Sequence, residues 1–175
     1  MAFPNIMKKI RNLFTLIAAI GVFSVMASAQ TALTSLDGSR VDVQNQKGKV
    51  VILAIGARWL PLSGKQAQSA NALAKKYAGK NVVVYFILTD STNPKNTKNY
   101  ATDAQLKEWA AKNGVTMTVL RDPDGAATLG KFGVDQLPSF VVLDKSGNRS
   151  GEPFGGSSQD ADGTAAISQK VDSLL

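Results

Sequence analysis

Cysteine and histidine supply most nucleophiles, proton shuttles and soft metal ligands that work near neutral pH. Neither occurs anywhere in the 175 residues. Their absence excludes disulfides, thiolate chemistry, iron–sulfur clusters and Cys/His zinc sites of known spacing. It also excludes any Ser–His or Cys–His catalytic pair. Chemistry would fall to Asp, Glu, Lys or Tyr, and no paired carboxylates stand at a recognisable catalytic spacing. No EF-hand-like acidic spacing appears either. One stretch stands out, Lys49 to Gln66, KVVILAIGARWLPLSGKQ. An apolar run leads into a turn marked by Trp59, Leu60, Pro61, Leu62 and Ser63, and then into a helix. Ser63 has no base to activate it. On residue types alone the sequence assigns no catalytic residue, no metal ligand and no cofactor.

The elements that must position this stretch alternate along the chain. Thr31 to Val43 reads as a hairpin around the turn dipeptide Asp37-Gly38. Val50 to Ile55 is nearly unbroken in apolar character, as expected of a strand covered on both faces, central and parallel. A helix after Ser63 aligns Ala67, Ala70, Leu73, Ala74 and Tyr77 on one face, and Gly79 suits its C-terminal cap. Val82 to Leu88 is a second doubly buried strand. Asp90 to Thr102 is a polar loop, long for a strand–helix connection. Thr102 with Gln105 forms a capping box ahead of a helix bearing Leu106, Trp109 and Ala110. Met117 to Leu120 is a short strand closed by the turn Asp122-Pro123-Asp124-Gly125, and Ala126 to Phe132 a short helix. Ser139 to Leu143 is a strand, turning at Lys145–Asn148 into another near Arg149–Phe154. Gly155 to Gly163 is a loose connector. Ala165 to Leu175 is a closing helix with Ile167, Val171, Leu174 and Leu175 inward. Alternating strands and helices predict an α/β fold: one domain, with helices on both faces of a mixed sheet and an N-terminal β-hairpin.

Residues 1–29 read as a secretory signal peptide: Lys8, Lys9 and Arg11, the apolar run Leu13 to Val25, then the cleavage pattern Ala27-Ser28-Ala29. This predicts a mature domain of residues 30–175 in the periplasm or outside the cell, without a stable membrane anchor. An uncleaved anchor is the rival reading, though the run is short for a span of about 20 residues. Met7 is an alternative initiator. The formal charge of +7 falls to +4, from 17 basic and 13 acidic residues, once residues 1–29 are set aside. No arginine-rich block accompanies it, so no nucleic-acid partner is expected.

Several motifs resemble the periplasmic TlpA/ResA-like redoxins of the AhpC/TSA-related thioredoxin-like fold. They are Leu36-Asp37-Gly38, Gly48-Lys49-Val50-Val51, Trp59-x-Pro61, Asp122 to Gly125, and Phe132-Gly133-Val134 followed by Leu137-Pro138-Ser139-Phe140. The resemblance spans nearly all of the expected mature chain and implies a three-layer α/β/α sandwich. In that family a parallel strand runs into W-C-x-x-C, with the first cysteine exposed at a helix start. A cis proline faces it across a groove, the place that Leu137 and Pro138 take here. Leu60 and Ser63 occupy the two cysteine positions, so thiol–disulfide exchange is not expected. Trp59, Leu60, Pro61, Leu62 and Ser63 are then vestigial active-site positions.

Each of these residues also has a plain structural reading. Ser63 with Gln66 fits a capping box, and Pro61 suits a first helical turn. Trp59 shields the turn or lines a groove, with packing against the core the simpler reading. Arg58 is by default a solvated surface arginine, with a carboxylate contact as the alternative. At least one of Leu60 and Leu62 should be exposed. The expected role is a redox-inactive module that binds a peptide or protein beside Pro138. The alternatives are a thiol-disulfide oxidoreductase relative that has lost its cysteines, or an enzyme with non-thiol chemistry.

Overall fold

The computed structural model describes residues 31–155 and 164–175. The signal peptide expected over 1–29 and nearly all of the connector expected over 155–163 lie outside the described residues. Within them, no helix is long and apolar enough to cross a membrane.

Seven strands form one mixed sheet. They are β1 (Ala32–Ser35), β2 (Arg40–Asp42), β3 (Val50–Gly56), β4 (Val82–Leu88), β5 (Val119–Arg121), β6 (Ser139–Leu143) and β7 (Phe154–Gly155), ordered β2-β1-β5-β4-β3-β6-β7. β3, β4 and β5 run parallel, whereas β6 lies antiparallel to β3. The apolar run from Val50 therefore makes a central strand, as its composition predicts, but one with a parallel neighbour on one side only. The hairpin β1–β2 joins the sheet through β5.

Side chains alternate across β3 and divide the interior into two cores. Val50, Ile52 and Ala54 pack with Ala67, Ala70 and Leu73 of α1 (Pro61–Lys76), Leu106 of α2 (Asp103–Lys112), and Ile167 and Val171 of α4 (Ala165–Asp172). Val51, Leu53 and Ile55 pack on the opposite face with Leu33, Leu120 and Phe132 of α3 (Leu129–Phe132). The result is a three-layer sandwich with three helices on one face and the short α3 on the other.

Four expectations are corrected. The helix expected after Ser63 begins at Pro61, because proline at the first position fits helical φ and lacks an N–H that would go unbonded. The strand expected from Met117 begins at Val119, where pairing with Phe86 starts, and extends to Arg121 opposite Thr34. The strand expected over Arg149–Phe154 contracts to a bridge at Arg149 and the pair Phe154–Gly155. Leu175 is 45 % exposed rather than inward, since the last helix ends at Asp172.

Candidate functional site

The parallel strands β3, β4 and β5 all end on one side of the sheet, and three loops cluster there. In sheets of this kind ligands bind at the carboxyl ends of the parallel strands. β3 ends at Gly56, and the chain turns through Ala57, Arg58 and Trp59 into the helix cap at Leu60. Leu60 has extended backbone angles and no side-chain oxygen, so the first turn of α1 is left without a side-chain cap. No acidic residue occupies that turn.

β6 brings in the other wall. Ile55 pairs with Ser139, so the Leu137–Pro138 bond, which is cis, lies beside the end of β3. Gln66 ties the two together: its buried Nε2 donates to Ile55 O at 3.2 Å and to Ser139 O at 2.8 Å. Ser63 is fully buried, and its Oγ accepts from the Ala57 N–H at 3.1 Å. The capping box expected from Ser63 and Gln66 does not form. Both lie inside the helix and face the sheet, so their side chains serve the backbone of β3 and β6 instead of the helix end.

Gly56 shows how closely α1 sits on β3. A Cβ built there would lie 2.6 Å from Gln66 Oε1 and 2.7 Å from Ser63 Oγ, distances real Cβ contacts do not reach. We expect Gly56→Ala to cost about 1–3 kcal/mol, the usual penalty for overpacking a filled interior. Chemical denaturation checks this, and an unchanged midpoint would contradict the tight seating of α1.

Of the remaining positions, Pro61 and Leu62 are exposed, Leu62 by 46 %. Trp59, Leu60 and Leu137 are half-buried, and Pro138 is buried. Trp59 is not among the partly buried side chains that pack on either core; its ring instead lies under the Lys98 ammonium, 5.4 Å from the centroid. Lys98 thus gives Trp59 a cation–π contact from the 91–102 loop, a neighbour the sequence did not reveal.

Arg58 also departs from its default reading as a solvated side chain. Its backbone N–H donates to Asp90 Oδ2 at 2.8 Å, and its Nε lies 3.7 Å from Asp90 Oδ1. Its Nη2 donates to Tyr100 O at 3.1 Å. The Asp90 side chain is fully buried, and burial raises its carboxyl above the ordinary value, against the Arg58 N–H and charge, which pull it down. Sequence reasoning placed Asp90 only in a polar loop. The available signal was its position: Thr89-Asp90-Ser91 directly follows a buried parallel strand, level with Arg58.

A second missed acid is Asp122, which accepts from the N–H groups of Ala127 and Thr128 at 2.9 Å and from Thr128 Oγ1 at 2.6 Å. Asp124 accepts from Ser91 Oγ at 3.1 Å. Each carboxylate near the strand ends thus has a structural partner, and Ser63 Oγ is sealed from solvent with no base beside it. Among the described residues no three acids group in a way that could hold a metal ion.

The family model of the AhpC/TSA family matches residues 26–148. The chain belongs to the AhpC/TSA family. Among curated relatives, thiol-disulfide oxidoreductase ResA of Bacillus thuringiensis is 28% identical over 115 residues, covering 66% of this chain and 60% of the relative. This AhpC/TSA chain therefore spans about three fifths of the length of that relative. Thioredoxin-like protein YneN of Bacillus subtilis is 24% identical over 128 residues, covering 73% of this chain and 69% of that protein. Among solved structures, the exposed lipoprotein thioredoxin Etrx1 of Streptococcus pneumoniae superposes with a TM-score of 0.67 at 26% identity. That match covers 83% of this chain and 100% of Etrx1. A secreted Mycobacterium tuberculosis disulfide oxidoreductase gives a TM-score of 0.62 at 21% identity, covering 83% and 96%. The thioredoxin-like fold expected from the motifs is the fold of this family member. Its cysteine-free sequence fits a member that has lost the catalytic pair.

Proposed function

We propose that this chain is a secreted, redox-inactive thioredoxin-like protein that binds an extended peptide beside Leu137–Pro138. The observation that carries the reading is the seating of α1 against β6 through Gln66, with Leu62 exposed at the helix start. An extended segment laid there would meet the backbone ahead of β6 and the apolar side chains of Leu60, Leu62 and Leu137. Backbone hydrogen bonds would supply affinity, and side-chain pockets selectivity. Secretion rests on the charged, apolar and small-residue pattern of residues 1–29. The names of two structural neighbours, one secreted and one an exposed lipoprotein, agree with it.

Non-thiol catalysis is the weaker reading. Asp90 is a buried acid with a raised pKa, but its carboxylate is engaged by the Arg58 N–H and guanidinium. An array of unstructured peptides probed with the wild type and with the Leu60→Asp, Leu62→Asp variant tests the groove. Binding to the selected peptides should fall about tenfold or more, since contacts to leucine are replaced by a charge that must be desolvated. Unchanged binding by the variant would remove the groove from consideration.

A further inference from the structure

The partner can be characterised further, on the premise that the groove beside Pro138 is where it binds. We propose that the segment received there carries acidic side chains, held by Lys98 and Lys65 on the α1 side of the groove.

The loop from Ser91 to Thr102 is held down onto the site turn. Ser91 and Ala101 close its neck through Ser91 N–H to Asn99 O at 2.8 Å and Ala101 N–H to Ser91 O at 3.1 Å. The Arg121 guanidinium donates to Ser91 O and Ala101 O and pairs with Asp103. Arg58 holds Tyr100 O from beneath. These ties place Lys98 over Trp59. A twelve-residue loop so fastened presents its lysines at a set position relative to the start of α1.

The loop and α1 carry basic side chains and no acid of their own. The 91–102 loop carries Lys95 and Lys98 and no acid, and α1 carries Lys65 near its start and no acid along its length. Lys65, Lys95 and Lys98 are exposed, and among the described residues none of them has a carboxylate partner. Of the nearby acids, Asp90 pairs with Arg58 and Asp103 with Arg121, whereas the partner of Asp124 is the uncharged Ser91 hydroxyl. Asp135, exposed two residues before Leu137, stands on the β6 side. Acidic residues of a bound segment therefore belong over α1 and the loop, which carry basic side chains and no acid. Complementarity of this kind selects partners and speeds encounter more than it adds affinity.

The test uses two end-blocked, fluorescently labelled dodecapeptides with the same apolar residues, one carrying glutamates and the other lysines. Anisotropy titration of the wild type should show the glutamate peptide binding about tenfold tighter, the preference shrinking as salt screens it. Lys65→Glu with Lys98→Glu should reverse the order, both sites being exposed and, among the described residues, without a carboxylate partner. Equal binding of the two peptides, lost in the Leu60→Asp, Leu62→Asp variant, would overturn the charge inference and leave the groove standing. Binding of neither peptide, or binding indifferent to the leucine variant, would overturn both. An oligonucleotide of equal charge binding as tightly as the glutamate peptide would reduce the preference to general polyanion attraction and overturn the inference.

Discussion

Combining Leu60→Cys with Ser63→Cys should create disulfide reductase activity in a chain that has no cysteine. Position 60 is the cap of α1, half-buried, with the positive end of the helix dipole beside it and no acid in the first turn. That setting lowers a thiol pKa below its ordinary value of about 8.5. Position 63 lies one turn inside and is fully buried, so a thiol there would be shielded from solvent. Residues three apart in a helix have Cα atoms about 5 Å apart, within the range a disulfide requires. Ser63→Cys adds little volume, although the Ala57 N–H would then face a weaker acceptor. Insulin reduction driven by a small dithiol should rise from background to a clear turnover. The thiol introduced at position 60 should be alkylated below neutral pH while the one at position 63 is spared. A folded double variant with no turnover and an ordinary thiol pKa at position 60 would show that more than the sulfurs has been lost.

This expectation rests on features the sequence displays locally. Apolar runs at 50–55 and 82–88 become the two long central strands, because period and length are properties of a few neighbouring residues. The capping box at Thr102 and Gln105 forms as read, each partner lying within one turn of the other. The pairing of the Trp59 turn with Leu137–Pro138 was legible only through the motifs, since the two segments lie far apart in the chain. What stayed hidden depends on where side chains point after folding. Ser63 and Gln66 carry the spacing of a capping box, yet Pro61 starts the helix early and turns both toward the sheet. Arg58 looked like a surface residue because its partner is 32 positions away. Only the parallel pairing of β3 with β4 sets the two strand ends side by side.

That hidden pair carries a large expected stability effect, and one that depends on pH. Arg58→Ala should destabilise the protein by about 2 kcal/mol at pH 7. Stripping the partner from a buried charge costs about 3–5 kcal/mol, trimmed here because Arg58 is 32 % exposed and partly screened. The sign of the pH dependence follows from Asp90. Its folded pKa is raised above the ordinary value of 3.8. The favourable contribution of its neutral form is therefore complete below that value and is lost as pH rises through the folded pKa. Removing Arg58 takes away an interaction that favours the carboxylate, so the folded pKa climbs further and the loss extends to higher pH. The gap between variant and wild type should thus be small near pH 4 and widen toward neutrality. Urea denaturation at a series of pH values measures it, and Asp90→Asn in the Arg58→Ala background should flatten the dependence. A gap of the same size at pH 4 and pH 7 would assign the loss to the Tyr100 hydrogen bond alone, not to a stranded carboxylate. Because the same guanidinium holds the loop that carries Lys98, the variant should also free that lysine from Trp59. The position of Lys98 over Trp59 therefore depends on one buried acid and its arginine.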